Sequence, residues 1–459
     1  MLGSGMGKSI IVPALLAVTA ICFSEANAKT IELPGEVSDI SIGASGRYIV
    51  AVHEKLKKAT VFDTQERKIA GFINLSAGDA LIACGRGGVA VFYPSNHVYQ
   101  LWSYDPPEKK VSKKLPFKGM VRAVAMGPDS PRHVFVERNM PVDDPRRARR
   151  ILNVFDLVSG RLLLPPESEI QVDNLNHSRT KSFLLTSMPG NLVTRCRPDG
   201  YGRLMTWDGA ELKMLPTSVG SSRSDGWLSP GPTGDIVYSA THGIMSDSLR
   251  LLTPSTPKEL DLPSLTHRIH LKVKINRFSD GTKNKIEDPG ASNPKVFVGG
   301  VDGVGLELPK LIGFKPEELS DDVRYESTIV PLAKRFYLIP KYDVFIYLPS
   351  SFNKFEMIEF SVEEKLKNLG EDYLLVNSPP PSIGKIGTLF SHQVTAASSS
   401  GGIKFKLQSG PEGLAVNDTG LVRWNVPTNM RGQKESIILS LSDSEGRERF
   451  YTFTIQIAR

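Results

Sequence analysis

The sequence predicts an all-β protein: a β-propeller of about seven blades followed by an Ig-like β-sandwich. Three observations point there. A strand closing in Leu-Pro recurs at Leu33-Pro34, Leu115-Pro116, Leu164-Pro165, Leu215-Pro216, Leu262-Pro263 and Leu308-Pro309, with a missing member near Asn74-Leu75. About a dozen residues before several of these stands an aromatic residue followed by aspartate, at Phe62-Asp63, Tyr104-Asp105, Phe155-Asp156 and Trp207-Asp208. After Gly370 the pattern changes to clean apolar–polar alternation broken by turn residues. Fixed-period self-similarity with four short strands per unit is the sequence mark of a propeller, and alternation with turns that of a sandwich.

Residues 1–28 read as a signal peptide. Lys8 gives a positive start, Ile10 to Phe23 a mostly apolar stretch, and Ala26-Asn27-Ala28 the small residues ahead of a cut that would leave Lys29 first. The stretch is too short to span a bilayer, and Cys22 lacks the residues of a lipid-anchoring motif. No later run is long and apolar enough to cross a membrane, and the signal peptide makes the expected location periplasmic, cell-surface or extracellular.

Residues 29–368 are assigned to the propeller, with units near 36–75, 77–117, 120–166, 170–216, 222–263, 267–311 and 324–363. The second strands, such as Arg47 to Val52, Gly88 to Tyr93 and His133 to Val136, alternate with period two. The aromatic-Asp pair ends a third strand, its carboxylate capping the turn through backbone N–H groups. The Leu-Pro pair ends a fourth, where a missing N–H does no harm. The sixth unit, which holds Asp280 to Lys285, has no clear strand limits. Thr30 to Pro34 is a fourth strand without a first, and is expected to complete the last blade and remove its open edge. Val362 to Leu369 is the best short helix.

Residues 369–459 form the second unit. Ile403/Phe405/Leu407, Val422/Trp424/Val426, Ile437/Leu439/Leu441 and Tyr451/Phe453/Ile455/Ile457 alternate as sandwich strands around a buried tryptophan. The net charge of +7 is modest for 459 residues and does not point to nucleic acid. Only Cys84 and Cys196 follow the cut, and they are expected as two buried thiols.

Gly401 to Leu407, Gly410 to Leu414, Asn417 to Pro427 and Leu441 to Gly446 supply a Pro-x-Gly turn, an Asp-x-Gly turn, a Trp-x-x-Pro strand and an Asp-x-x-Gly hairpin. In these the C-terminal unit resembles the immunoglobulin-like, cadherin-like modules of secreted bacterial proteins. The repeat array is similar, less specifically, to the quinoprotein and YVTN-like seven-bladed propellers. The resemblance implies a fold and a compartment, with adhesion and calcium as associated themes. The acidic linker cluster of true cadherin repeats is missing, and Asp443 and Glu445 are too few for a site that wants about 6–8 oxygens. Calcium is therefore unsupported by ligand count, no cofactor is expected, and quinone-binding positions cannot be matched.

Catalytic motifs fail on inspection. Gly3 to Ser9 mimics a phosphate loop without its leading glycine, because position 2 is Leu2. Asp418-Thr-Gly420 occurs once, whereas aspartic proteolysis needs two carboxylates. Ser351/Lys354 and Ser178/Lys181 lie at strand turns rather than on one helix face. His267 and His270 would lie on opposite faces of a strand. Two sets remain. Arg146, Arg147, Arg149 and Arg150, in an insertion of the third unit, either grip a polyanion or form a solvated loop. Asp39, Asp79, Arg122, Asp173, Asp225 and Glu326 precede the apolar part of successive first strands. They form either a mostly acidic ring at the channel mouth or a set of turn caps. The expected function is non-enzymatic binding of a protein, envelope polymer or carbohydrate. A propeller enzyme with metal or quinone in the channel, and a structural or adhesive role, are the rivals.

Overall fold

The computed structural model describes residues 28–140, 149–174, 182–196, 202–215, 228–239, 243–254, 259–266, 269–274, 294–298, 304–308, 330–378, 383–430 and 433–458. Residues 1–27, and with them most of the expected signal peptide, lie outside this set. Within it the chain is all-β, with seven antiparallel sheets in succession. The first holds Asp39–Gly43, Tyr48–His53, Lys58–Asp63 and Lys68–Asn74, and the second Leu81–Cys84, Val89–Tyr93, Val98–Trp102 and Lys109–Lys114. The third begins with Val121–Met126, His133–Asn139 and Arg149–Asp156. The next three open with Phe183–Thr186, Leu228–Pro230 and Glu259–Pro263. The seventh contains Phe336–Ile339, Val344–Tyr347 and Lys354–Glu359, and its fourth strand is Ala28–Glu32 from the far end of the chain. Thr30 Oγ1 donates to Glu356 at 2.8 Å across that join.

Apolar side chains link each sheet to the next. Val50 and Val61 pack with Ile82 and Val91, Phe92 with Val136 and Phe155, and Leu152 with Val193 and Met205. Leu192 and Leu204 then meet Val237 and Met245. Tyr238 lies 5.7 Å from the His270 ring, between the fifth sheet and the sixth. Leu260 and Leu271 pack with Phe336 and Phe345, and Ile339 and Ile346 return to Ile40 and Ile49 of the first sheet. The leading strand of every one of the seven sheets lines one central cavity.

Two strand assignments need correction. Leu262-Pro263 does not close a fourth strand: Glu259–Pro263 is the leading strand of the sixth sheet, and the fourth strand of the fifth is Leu251–Pro254. Ile170–Asn174 does not open the fourth sheet. It pairs with the start of Arg149–Asp156, whose other end pairs with Arg161–Leu162, so the outer edge of the third sheet is split in two around Leu164-Pro165. Proline cannot donate to a ladder, and it interrupts the strand there rather than ending it.

The marks have visible physical causes. Leu33, Leu75, Leu115, Leu164 and Leu308 are all buried at the ends of outer strands. Asp63 Oδ1 accepts the N–H groups of Gln65 and Glu66 at 2.9 and 3.0 Å, while Oδ2 takes Arg47. Asp156 accepts Val158 N–H at 3.0 Å and pairs with Arg132. Asp208 accepts the N–H groups of Ala210 and Glu211. Cys84 and Cys196 are free and buried, and burial pushes their pKa values up to about 12 and about 11.

The described α-helix is Val362–Leu369, as expected, capped by Ser361 and ended by Gly370 in the left-handed region. Beyond it, a four-stranded, a three-stranded and a two-stranded sheet enclose a separate core of Phe390, Val422, Trp424, Leu439, Tyr451 and Phe453. His392 of this unit is within electrostatic reach of Asp129 and Arg86, and Lys434 of Asp247. Those partners belong to loops at the ends of the leading and third strands, so the C-terminal unit stands toward that end of the sheets.

Candidate functional site

At the opposite end, where the leading strands begin, lies a pocket of about 320 Å³. Asp39, Asp79 and Arg122 all line it, so three of the six expected ring residues come together. Each sits just ahead of, or at the start of, a leading strand, which is why the sheets present them side by side. Asp39 Oδ1 accepts Lys334 Nζ at 2.9 Å and the Ile40 N–H at 2.8 Å. Asp79 Oδ2 accepts the Ser95 N–H at 2.8 Å, while its buried Oδ1 has no partner among the described residues. Arg122 extends to the side-chain oxygen of Asn139, with contacts of 3.1 and 2.9 Å. Asp39 and Asp79 each accept a backbone N–H, and both also line the cavity.

Of the other three, Asp173 does not join them. The leading strand of the fourth sheet starts at Phe183, so the residue ahead of it is Ser182. Asp173 lies instead on the outer strand Ile170–Asn174, opposite Arg150 in register. The leading strand of the seventh sheet starts at Phe336, which puts Lys334 near the mouth where Glu326 was expected. Asp225 and Glu326 lie outside the described residues. Among the described residues the mouth carries charge of both signs.

The arginine run divides as well. Arg146 and Arg147 lie outside the described residues. Arg149 is exposed and Arg150 buried, because successive side chains on a strand face opposite ways. Arg150 therefore does not serve a surface polyanion. Its guanidinium lies 3.4 Å from Glu137 and 3.3 Å from Ser182 Oγ, and Glu137 also takes Arg195 at 3.0 Å. The whole cluster is buried. Arg150 and Ser182 also line the pocket.

Sequence reasoning missed Glu54, Ser182 and Lys334. Glu54 comes from the turn between second and third strands, which no repeat mark flags. Lys334 was findable by asking what precedes the last apolar strand. Pairing matters for the electrostatics. Lys334 neutralises Asp39, and Glu137 lies against Arg150. Glu54, Asp79 and Arg122 have no ion pair among the described residues, while Glu137 is shared by Arg150 and Arg195.

The C-terminal carboxylate follows a different logic. Asp443 accepts Ser398 Oγ at 2.8 Å, Arg447 Nε at 2.7 Å and the N–H groups of Glu445 and Arg447. Its oxygens are occupied by donors, as a turn cap requires. Desolvation works to raise its pKa, yet the hydrogen bonds from Ser398, Arg447 and Ser400 outweigh that and hold it far below the ordinary carboxylate value. Among the described residues no three His, Cys, Asp or Glu side chains are grouped as metal ligands, and no helix is long and apolar enough to cross a membrane.

An all-β chain with successive four-stranded sheets and a central cavity has propeller-like neighbours among solved structures. Two are the β-propeller domain of Myceliophteria thermophila Cps50 (Swd1) and Chaetomium thermophilum Raptor. The first is 9% identical with a TM-score of 0.40, over 73% of this chain and 100% of that one. The second is 13% identical with a TM-score of 0.45, over 72% of this chain and 28% of Raptor. No family model and no curated protein matches the sequence.

Proposed function

We propose that this is an exported, non-enzymatic binding protein that holds a cationic or zwitterionic group of a protein partner in the mouth pocket. In this reading the seven sheets form a closed, seven-bladed propeller completed by Ala28–Glu32, and the C-terminal unit is an Ig-like module. The observation that carries the reading is the charge left over in the pocket: Glu54 and Asp79 on one side, Arg122 on the other, on a frame set by rigid strands. An ammonium group satisfies the open Oδ1 of Asp79, and a ligand carboxylate suits Arg122. Unpaired charge at a concave surface favours a partner of complementary charge. The C-terminal unit, standing toward the other end, leaves this pocket uncovered and serves as spacer or second contact.

Calorimetry with blocked Ala-Lys-Ala and Ala-Glu-Ala tripeptides tests the reading. The lysine peptide is expected to bind the whole protein and the glutamate peptide to bind at least tenfold more weakly. Asp79→Asn keeps an acceptor for Ser95 but removes the charge, and is expected to weaken the lysine peptide about tenfold. Equal binding of the two peptides, or an unchanged affinity in the variant, overturns it.

A further inference from the structure

We propose that the central channel is a second and separate binding site, for a small uncharged molecule with an apolar body and one hydroxyl or carbonyl group. The channel holds a cavity of about 120 Å³ whose walls come from all seven leading strands. Ile40, Ile82, Val124, Leu185 and Phe336 make it largely apolar. A mostly apolar cavity with few polar groups is the usual form of a small-molecule site. An apolar cavity of roughly 150 Å³ is known to stay dry and admit benzene, which sets the ligand at about ring size.

The serine and threonine hydroxyls in the wall locate the polar contact. Ser41 Oγ accepts the Cys84 N–H at 3.2 Å, Thr186 Oγ1 donates to Met126 O at 3.1 Å, and Ser264 Oγ donates to Thr266 O at 2.9 Å. Ser229 differs. Its residue is 3% exposed, and its Oγ has no hydrogen-bond partner among the described residues. A buried hydroxyl without a partner costs free energy that a bound hydroxyl or carbonyl recovers. Among the described residues the one charged side chain in the wall, Lys334, is 13% exposed and already paired with Asp39. An ionic ligand therefore meets no free counter-charge in the channel and loses its hydration there. The ligand class is neutral for that reason.

The test uses p-cresol, toluene and benzoate with the full chain, followed by calorimetry and ligand-observed saturation-transfer NMR. The expected result is binding of p-cresol and toluene and none of benzoate. Ser229→Ala is expected to weaken p-cresol about two- to tenfold while leaving toluene unchanged. Leu185, half-buried on the channel wall, is the filling position, and Leu185→Trp is expected to abolish both. Asp79→Asn is expected to leave p-cresol binding intact, which separates this site from the mouth pocket. Failure of p-cresol and toluene to bind at millimolar concentration overturns the proposal. So does benzoate binding as well as p-cresol, or equal loss of p-cresol and toluene in Ser229→Ala. If Leu185→Trp does not fold, the Ser229→Ala comparison decides alone.

Discussion

Gly127 shows how close neighbouring sheets come at the ends of their leading strands. A β-carbon there would lie 2.4 Å from the Gly190 nitrogen and 2.5 Å from the Met188 carbonyl oxygen, both backbone atoms of the next sheet. Met188 O in turn accepts the Asp129 N–H at 2.8 Å, so the loops cannot separate without losing that bond. Gly127→Ala is expected to cost about 1–3 kcal/mol, read as a lower urea midpoint with unchanged slope. Residues also set the acid response. Desolvation lowers the pKa of His133 and of His392 to about 4, against an ordinary 6.5. Between those values the unfolded chain binds more protons than the native one. The stabilisation is complete above about pH 6.5 and is lost as pH falls toward 4. Asp443 adds a second loss at lower pH, as its depressed pKa is approached from above the unfolded value. Denaturation at pH 7, 5.5 and 4.5 is expected to show a progressive fall. His133→Gln is expected to flatten the first part of it and Asp443→Asn to leave that part unchanged.

Among elements, the strands legible in the sequence are those whose signal is local. The turn after Asp63 was readable because the carboxylate bonds N–H groups two and three residues on, and the outer strands because a buried leucine ends them. Glu259–Pro263 was misread because Leu262-Pro263 copies an outer-strand ending while serving as a leading strand. The distinction lies in which sheet it pairs with, which no local pattern records. The site was half legible for the same reason. Asp39, Asp79 and Arg122 share a position relative to their strands, and that position was readable. Their partners Lys334, Asn139 and Ser95 lie on other strands or turns, and Lys334 on another sheet. The outer edge of the seventh sheet gives the element-scale prediction. Deleting residues 29–33 removes the burial of Ile31 and Leu33 and bares the strand Lys354–Glu359. We expect a loss of about 3 kcal/mol or more by chemical denaturation. Self-association through the open edge is expected in sedimentation velocity.

Taken whole, the molecule combines a succession of seven sheets with a separately cored C-terminal unit that stands toward one end. The Trp424 indole, 1% exposed and bonded to Glu412 O at 3.0 Å, anchors a core that shares no residue with the clusters of the seven sheets. Two cores of this kind are expected to melt as two transitions, and calorimetry on the full chain checks it. The pH dependence of each transition then assigns it, since His133 belongs to the sheets and Asp443 to the C-terminal unit.

The first strand carries one more consequence, and it concerns timing. Ala28 and Lys29 lie opposite Ile358 and Met357, so the peptide bond between them is inside a strand of the seventh sheet. A peptidase reaches only a segment that is extended and unpaired. For a chain cut after Ala28, processing must come before the last sheet is complete. The freed end must then wait for more than three hundred residues to be delivered before its partner strand exists. In the proposed exported chain, translocation, cleavage and folding would then follow a fixed order set by a single pair of strands.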